Sequence, residues 1–223
     1  SCPDAGLALG PILQVDADNE SAGRLYQGLG FERETVRTHW ARRSGPLHLP
    51  LADPSPGDPP LPPGIFLRPR RGRQWQDQYA LAQTALPHGL TWNRPLAAAD
   101  FAPSFERGLE QWLNGQREEH WLAQTAAVHP AGAARSAARM VGSLSLATHF
   151  PDGHHLVLLV HPDYRGRLEL PLLAHGLRRL NREPGSVFIE LPAADAAADA
   201  ALRQLGFTPV RTRAWMKATL NDE

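Results

Sequence analysis

The stretch HHLVLLVHPDYRGRLELPLLAHGLRRLNR, residues 154–182, decides the fold of this chain. It opens with an unbroken apolar run over 156–160, which predicts a strand buried on both faces. A basic turn, Arg165-Gly166-Arg167, follows the strand. The leucines at 170, 173, 177 and 180 then fall on one stripe of a predicted helix. Strand, turn and helix in this order present backbone N–H groups and a helix N-terminus, a combination that suits an anionic phosphate.

The motif VHPDYRGR at 160–167 resembles the acetyl-CoA-binding signature of the GNAT superfamily of N-acetyltransferases. The resemblance implies that the cofactor is contacted by Val160, Arg165, Gly166 and Arg167. In that family the signature continues with glycines that let the loop wrap the cofactor's pyrophosphate. Here Leu168 and Leu170 stand at the two glycine positions, and we expect their side chains to occupy that space. We therefore expect residues 64–220 to bind acetyl-CoA weakly or not at all.

A second motif, VDADNESAGRLYQGLGFERE at 15–34, lies near the start of the chain. It predicts a short strand at 12–15 and then a helix over 20–29, which begins after N-cap candidates and ends at Gly30. The motif resembles the C-terminal half of a GNAT domain. By that resemblance, Asn19 contacts the cofactor and Tyr26 is the general acid that protonates the departing CoA thiolate.

Tyr26 is chemically suited to that role, because a phenol with a pKa of about 10 can protonate a thiolate whose thiol has a pKa of about 8.5. Considered as a single helix, the same segment favours a packing role, with Tyr26 as a core aromatic beside Leu25 and Leu29. The catalytic base is not identified: Glu32, Glu34 and His39 lie near the right element, and nothing in the sequence ranks them.

The remaining sequence predicts a linker and one complete domain. Eight prolines fall within 44–63, which predicts a semi-rigid extended linker. From residue 64 onward, periodicity predicts the order β, α, α, β, β, β, α, β, α, β, with helices at 75–86 and 105–113 and a hairpin turn at 130–132. The resemblance implies an α/β (α+β) fold with a mixed, mostly antiparallel central sheet flanked by helices.

The two ends of the chain resemble each other. Gly206-Phe207 stands 176 residues after Gly30-Phe31, and at this offset the packing residues Ala22 and Leu29 correspond to Ala198 and Leu205. The chemical residues differ, because Tyr26 corresponds to Leu202 and Asn19 to Asp195.

We therefore interpret residues 1–43 as the C-terminal portion of a first GNAT-like domain and residues 64–223 as a complete but degenerate second one, in a tandem acetyltransferase. The block at 11–43 is too small to bury its own apolar faces. We expect it to dock on residues 64–220, on a second copy of the chain or on an upstream fragment of the same protein.

Composition excludes several classes of protein. The 223 residues carry a formal net charge of zero, which gives no electrostatic case for binding nucleic acid or an anionic membrane. A single cysteine fits a reducing compartment, so a cytoplasmic location is expected. The ten histidines lack Cys or carboxylate partners at zinc spacing, and we expect no metal site. A Rossmann-like nucleotide binder is disfavoured, because G-x-G-x-x-G is absent and a hairpin is predicted.

The sequence thus predicts an acyltransferase that moves an acetyl group from acetyl-CoA to the amine of a small molecule or peptide. The sequence does not identify the acceptor. The alternative, from another class, is that residues 64–223 form a non-catalytic ligand-sensing or interaction module, which the residues Leu168, Leu170 and Leu202 favour.

Overall fold

The computed structural model describes residues 11–43, 60–86, 90–91, 94–104, 114–126, 138–149, 153–181 and 183–218. Three sequence predictions lie outside the described residues: most of the linker at 44–63, the helix at 105–113 and the turn at 130–132.

Most described elements agree in kind with the predicted ones and differ by a few residues at their ends, but the sequence did not predict the two short strands at 90–91 and 94–95. The strands are β1 (Ile12–Asp16), β2 (Phe31–Arg43), β3 (Ile65–Pro69), β4 (Leu90–Thr91), β5 (Arg94–Pro95), β6 (Arg117–Thr125), β7 (Met140–His149), β8 (Gly153–Val160), β9 (Ser186–Pro192) and β10 (Thr208–Ala218). The helices are α1 (Glu20–Gly28), α2 (Trp75–Ala85), α3 (Glu169–Arg179) and α4 (Ala196–Gln204). In the described part of the chain, no helix has the length and apolar character to span a membrane.

Eight of the strands form one sheet in the order β1-β10-β2-β9-β8-β7-β6-β3. Neighbouring strands are antiparallel except for β8 and β9, which are parallel. Helices pack on this sheet, so the predicted fold class, a mixed and mostly antiparallel sheet flanked by helices, is confirmed.

Helices lie on both faces of the sheet, because successive side chains of a strand point to opposite faces and both sets need cover. Gln78 of α2 donates hydrogen bonds to Ser143 and Ser145 on one face of β7. On the other face α3 approaches β7 closely, because a Cβ atom at Gly176 would lie 2.8 Å from Leu144 Cδ2. The buried leucines of α3, among them Leu173 and Leu177, form the centre of the main core with β7, β8 and β9.

The block at 11–43 joins this sheet, which is the first of the three arrangements that the sequence left open. Strand β2 lies between β9 and β10, and it pairs with β9 from Arg37↔Pro192 to Arg43↔Ser186. Strand β1 pairs with the other edge of β10. Trp40 of β2 is buried in the main core, so the block contributes side chains as well as backbone hydrogen bonds.

The offset of 176 residues relates two β-α-β units of the sheet, β1-α1-β2 and β9-α4-β10. It maps α1 onto α4 residue for residue, and both helices are followed by a glycine at positive φ, Gly30 at 85° and Gly206 at 80°. It also maps the pairing of β1 with β10 onto that of β9 with β2, since Ile12↔Lys217 corresponds to Ala41↔Phe188. Each β-α-β unit therefore places its second strand against the first strand of the other unit.

The two equivalent helices are covered to different extents. Helix α4 packs against α3, and its Leu205 is 2% exposed. Helix α1 packs on β2. Leu29, which follows this helix and is the equivalent of Leu205, is 64% exposed, and Leu25 is exposed as well. Among the described residues, Leu25 and Leu29 therefore do not form a core face beside Tyr26, because that helix face has no neighbour equivalent to α3.

This difference predicts unequal effects for one substitution at two equivalent sites. Leu205→Ala should lower the free energy of unfolding by about 2–5 kcal/mol, because it leaves a cavity between α3 and α4. Leu29→Ala should change it by less than about 0.5 kcal/mol, because the side chain is exposed. Urea denaturation of both variants measures the effects, and equal losses would show that α1 is covered in solution.

Candidate functional site

The sheet opens between β8 and β9. The two strands pair only from His154↔Val187 to Leu156↔Ile189, although β8 continues to Val160 and β9 to Pro192. Beyond these pairs the strands diverge, and the edges that face each other have no ladder between them. The gap is a cleft of about 220 Å³ that is lined by both strand ends.

The cleft corrects one prediction about β8. The apolar run at 156–160 was expected to be buried on both faces, but Val157 is 40% exposed and lines the cleft. Its neighbour strand β9 has already diverged at this point, so one side of the residue faces open space. An apolar run predicts burial only where a neighbouring strand or helix covers both faces.

The basic turn contributes less to the cleft than predicted. Val160 and Arg165 line it, whereas Gly166 and Arg167 do not. Arg165 Nη2 donates to the carbonyl oxygen of Ala85 at 2.9 Å. Arg167 Nη2 donates to the carbonyl oxygen of Asp163 at 2.6 Å and its guanidinium lies 4.9 Å from the centre of the Tyr164 ring, so it stabilises its own turn.

The expectation for Leu168 and Leu170 is wrong, because neither leucine lines the cleft. Leu168 is fully buried and points at β7, where a Cβ atom at Gly142 would lie 3.2 Å from Leu168 Cδ1. Leu170 is half-buried and packs against the same core. The turn directs both side chains into the protein, so they anchor α3 rather than fill the cleft.

Glu169, the first residue of α3, lines the cleft instead. The residue is 2% exposed, and its Oε2 accepts a hydrogen bond from the backbone N–H of Leu168 at 3.2 Å. Its Oε1 is buried and has no hydrogen-bond partner among the residues that the structure describes. A carboxylate therefore lies where the sequence predicts the phosphate end of the site. The sequence signal was an acidic residue in the first turn of the helix.

A chain of polar side chains forms the wall of the cleft on the α2 side. Arg70 Nη1 donates to Gln78 Oε1 at 2.8 Å, and Gln78 Nε2 donates to Ser145 Oγ at 3.2 Å. Ser145 Oγ lies 2.8 Å from His120 Nδ1, and His120 Nε2 lies 3.4 Å from Glu118 Oε1. Sequence analysis missed this network, because it joins α2, β6 and β7 across long chain separations.

Burial shifts the pKa values of two groups in this wall, His120 and Arg70. Burial and then the charge of Arg70 lower the pKa of His120 from 6.5 to about 4, against the opposing effect of Glu118. Burial also lowers the pKa of Arg70, which Glu118 partly offsets. The His120 ring is therefore neutral at pH 7, and the network assigns its N–H to Nε2, which faces Glu118, while Nδ1 accepts from Ser145.

The side chains that line the cleft carry more negative than positive formal charge. Arg37 Nε lies 3.2 Å from Glu190 Oε1, and burial lowers the pKa of Arg37 while Glu190 raises it. The lining carries five carboxylates and three guanidinium groups: Asp100, Glu118, Glu169, Glu190 and Asp195, and Arg37, Arg70 and Arg165. With His120 neutral, the lining has a formal charge of −2 in a chain whose net charge is zero.

Asn19 and Tyr26 do not line this cleft. Asn19 is the N-cap of α1, and its Oδ1 accepts from the N–H of Ala22 at 3.0 Å. Asp195 caps α4 in the same way and does line the cleft, so the position equivalent to Asn19 lies at the site while carrying a negative charge. Tyr26 is half-buried, with its ring edge-on to Phe31 at 5.9 Å.

The residues considered as a catalytic base, Glu32, Glu34 and His39, also lie outside the lining, although Arg37 of the same strand is part of it. Among the described residues, no group of three or more His, Cys, Asp or Glu side chains is placed to hold a metal ion.

The fold with this cleft is that of the GCN5-related N-acetyltransferases. Such an enzyme from Sphaerobacter thermophilus aligns with a TM-score of 0.55 at 18% identity, over 96% of this chain and 62% of that chain. Another from Kribbella flavida gives a TM-score of 0.53 at 13% identity, over 95% and 69%. A Drosophila protein gives a TM-score of 0.57 at 14% identity, over 95% and 61%.

This chain thus spans less than two thirds of the length of the Sphaerobacter and Drosophila proteins. No family model matches the chain, and neither does any curated protein.

The lowered pKa of His120 predicts how stability depends on pH. The pKa in the folded state lies below the ordinary value of 6.5, so the unfolded chain takes up this proton first as the pH falls. The stability is fully present above about pH 6.5 and should be lost progressively toward pH 4, by about 3 kcal/mol at most. Urea denaturation across this range and NMR titration of the His120 ring measure both quantities.

Arg70→Gln is the matching variant, because it removes the positive charge that opposes protonation of His120. Its His120 pKa should rise above the wild-type value. A wild-type His120 that titrates near 6.5 would contradict the prediction.

Proposed function

We propose that the protein is an acyltransferase that moves an acetyl group from acetyl-CoA to an amine of a small molecule or peptide. The observation that carries this proposal is the unit of β1, α1 and β2, which keeps Asn19 and Tyr26, the chemical residues of its resemblance to a GNAT domain. The shared fold supports the class of reaction. In this reaction the amine nitrogen bonds to the thioester carbonyl carbon and loses a proton, the C–S bond breaks, and the CoA thiolate takes up a proton.

The cleft of residues 64–220 does not fit the pyrophosphate of the cofactor. The Glu169 carboxylate lies at the N-terminus of α3, where a phosphate group would need the backbone N–H donors and a favourable charge. Asp195 adds a second negative charge to the same lining. For this reason we assign no step of the reaction to this cleft.

We place the acid and one cofactor contact in residues 12–43 instead. Tyr26 is proposed to protonate the departing thiolate, and Asn19 is proposed to contact the cofactor. Two facts support this choice. The equivalent residues in the other unit are Leu202, which has no proton to give, and Asp195, which carries the wrong charge. The base and the acceptor remain unassigned.

We further infer a tandem arrangement, in which the unit at 12–43 belongs to a first acetyltransferase domain. The exposed side chains of Leu25 and Leu29 mark a helix face that α3 covers in the other unit. A strand and helix equivalent to β8 and α3 would cover that face and the outer edge of β1, and we propose that an upstream part of the same protein supplies them. A second copy of the chain as partner and a cytoplasmic location remain predictions from the sequence.

The comparisons do not favour the alternative that the whole of residues 64–223 is a non-catalytic module. One observation, the carboxylate of Glu169 in the cleft, does favour a non-catalytic role for that cleft.

The proposal predicts that the full-length protein releases thiol from acetyl-CoA in the presence of a suitable primary amine. Tyr26→Phe should lower kcat by about 10²–10⁴-fold with little change in KM, because it removes the proton donor and keeps the ring. Tyr79→Phe is the matched control, because it removes a hydroxyl from α2 outside both proposed sites. Thiol release is followed colorimetrically across a panel of amines.

The two outcomes that would contradict the proposal are distinct. Unchanged turnover in Tyr26→Phe would make Tyr26 a packing residue. The absence of thiol release with every amine tested would reject acetyl transfer itself.

A further inference from the structure

The N-terminus of α3 is an anion-binding position that the chain itself occupies. The helix has 11 residues, and no side chain caps it from the N-cap position, Leu168. The first-turn N–H groups of a helix attract an anion. Pro171 has no N–H and the N–H of Leu172 is bonded to the carbonyl oxygen of Leu168, so only two first-turn donors remain, at Glu169 and Leu170.

The anion at this position is the carboxylate of Glu169. Its Oε2 accepts from the N–H of Leu168, one residue before the helix, and its Oε1 is buried at the cleft without a partner among the described residues. A buried carboxylate needs compensation from nearby donors and dipoles, and here the N–H of Leu168 and the dipole of α3 supply it. The side chain is thus held beside the helix N-terminus, where a bound phosphate would be attracted by the same dipole.

A phosphate group entering the cleft would meet this carboxylate directly. Two like charges a few ångströms apart at a partly buried site repel each other more strongly than they would in bulk water. The formal charge of −2 on the lining acts in the same direction. The leucines at the positions of the family's glycines have no part in this exclusion, because they point into the core.

We propose that Glu169 is a built-in anion that occupies the phosphate position of this cleft and makes the cleft reject ligands that carry a pyrophosphate. This inference rests on the proposed function, because the GNAT resemblance identifies the N-terminus of α3 as the phosphate position. Glu169 is therefore the residue that determines ligand specificity in the cleft of residues 64–220. Removal of its charge should restore the affinity for pyrophosphate.

The test uses the full chain, with inorganic pyrophosphate as the probe, in wild type, Glu169→Gln and Glu169→Ala. Asp163→Asn is the matched control, because it removes one negative charge from the preceding turn at a side chain that is 66% exposed and lies outside the cleft lining. Calorimetry measures the binding, and the amide shifts of Glu169 and Leu170 in NMR spectra report its location. Thermal unfolding checks that each variant is folded.

We expect no saturable binding of pyrophosphate in wild type or Asp163→Asn. Glu169→Gln should bind it saturably, with a Kd at least about tenfold below the highest concentration at which wild type shows no binding, with shifts at the two amides and a strong dependence on salt. If Glu169→Gln does not fold, Glu169→Ala provides the comparison. Wild-type protein that binds pyrophosphate at these amides, or folded variants that gain no affinity, would overturn the proposal.

Coenzyme A titrated in parallel separates this inference from the proposed function. A variant that gains affinity for pyrophosphate but not for coenzyme A confirms the role of Glu169 and shows that the rest of the cleft is unsuited to the cofactor. Tyr26-dependent acetyl transfer involves residues 12–43, so its presence or absence leaves the result at Glu169 unaffected.

Discussion

The structure depends on the position of one strand, β2, between β9 and β10. Without β2 those two strands would have no common neighbour, and the sheet would lose the two ladders through which β2 joins them. The interaction is symmetric, because Arg37 of β2 pairs with Arg213 of β10, its own equivalent at the offset of 176 residues. Two β-α-β units that exchange their second strands bury both strand edges and join distant parts of the chain into one core.

The same strand explains where the sheet opens. Strand β9 pairs with β2 from Ser186 to Pro192, and β8 pairs with β7 from Gly153 to Val160. The parallel contact between β8 and β9 extends over only three residue pairs. Each strand therefore follows its longer ladder, and the twist of the sheet separates them at their carboxyl ends. The cleft is a consequence of strand pairing on both sides of it, and β2 brings Arg37 to its rim.

The chemistry of the cleft shows why a shared fold is insufficient to assign a reaction. The strands diverge, yet the carboxylate of Glu169 lies at the N-terminus of α3 and accepts the N–H of Leu168. The neutral His120 and its partners form a second polar region on the opposite face, held by hydrogen bonds between α2, β6 and β7. The two equivalent units share the small and apolar residues at equivalent helix positions and differ at Tyr26 and Asn19, which correspond to Leu202 and Asp195.

The sequence by itself determined most of the described strands and helices, because hydrophobic periodicity and capping residues such as Asn19 and Gly30 act over a few neighbouring positions. The fold class followed from the resemblance of the motifs at 15–34 and 160–167 to those of the GNAT superfamily. The sequence also located the turn that bears Val160 and Arg165. Only the tertiary structure decided which side chains reach the cleft. The rotation of the chain at the start of α3 buries Leu168 and directs Glu169 to the site, a difference of one residue that periodicity does not resolve. The exposure of Val157, the network around His120 and the insertion of β2 depend on contacts between residues far apart in the chain, which no local pattern contains.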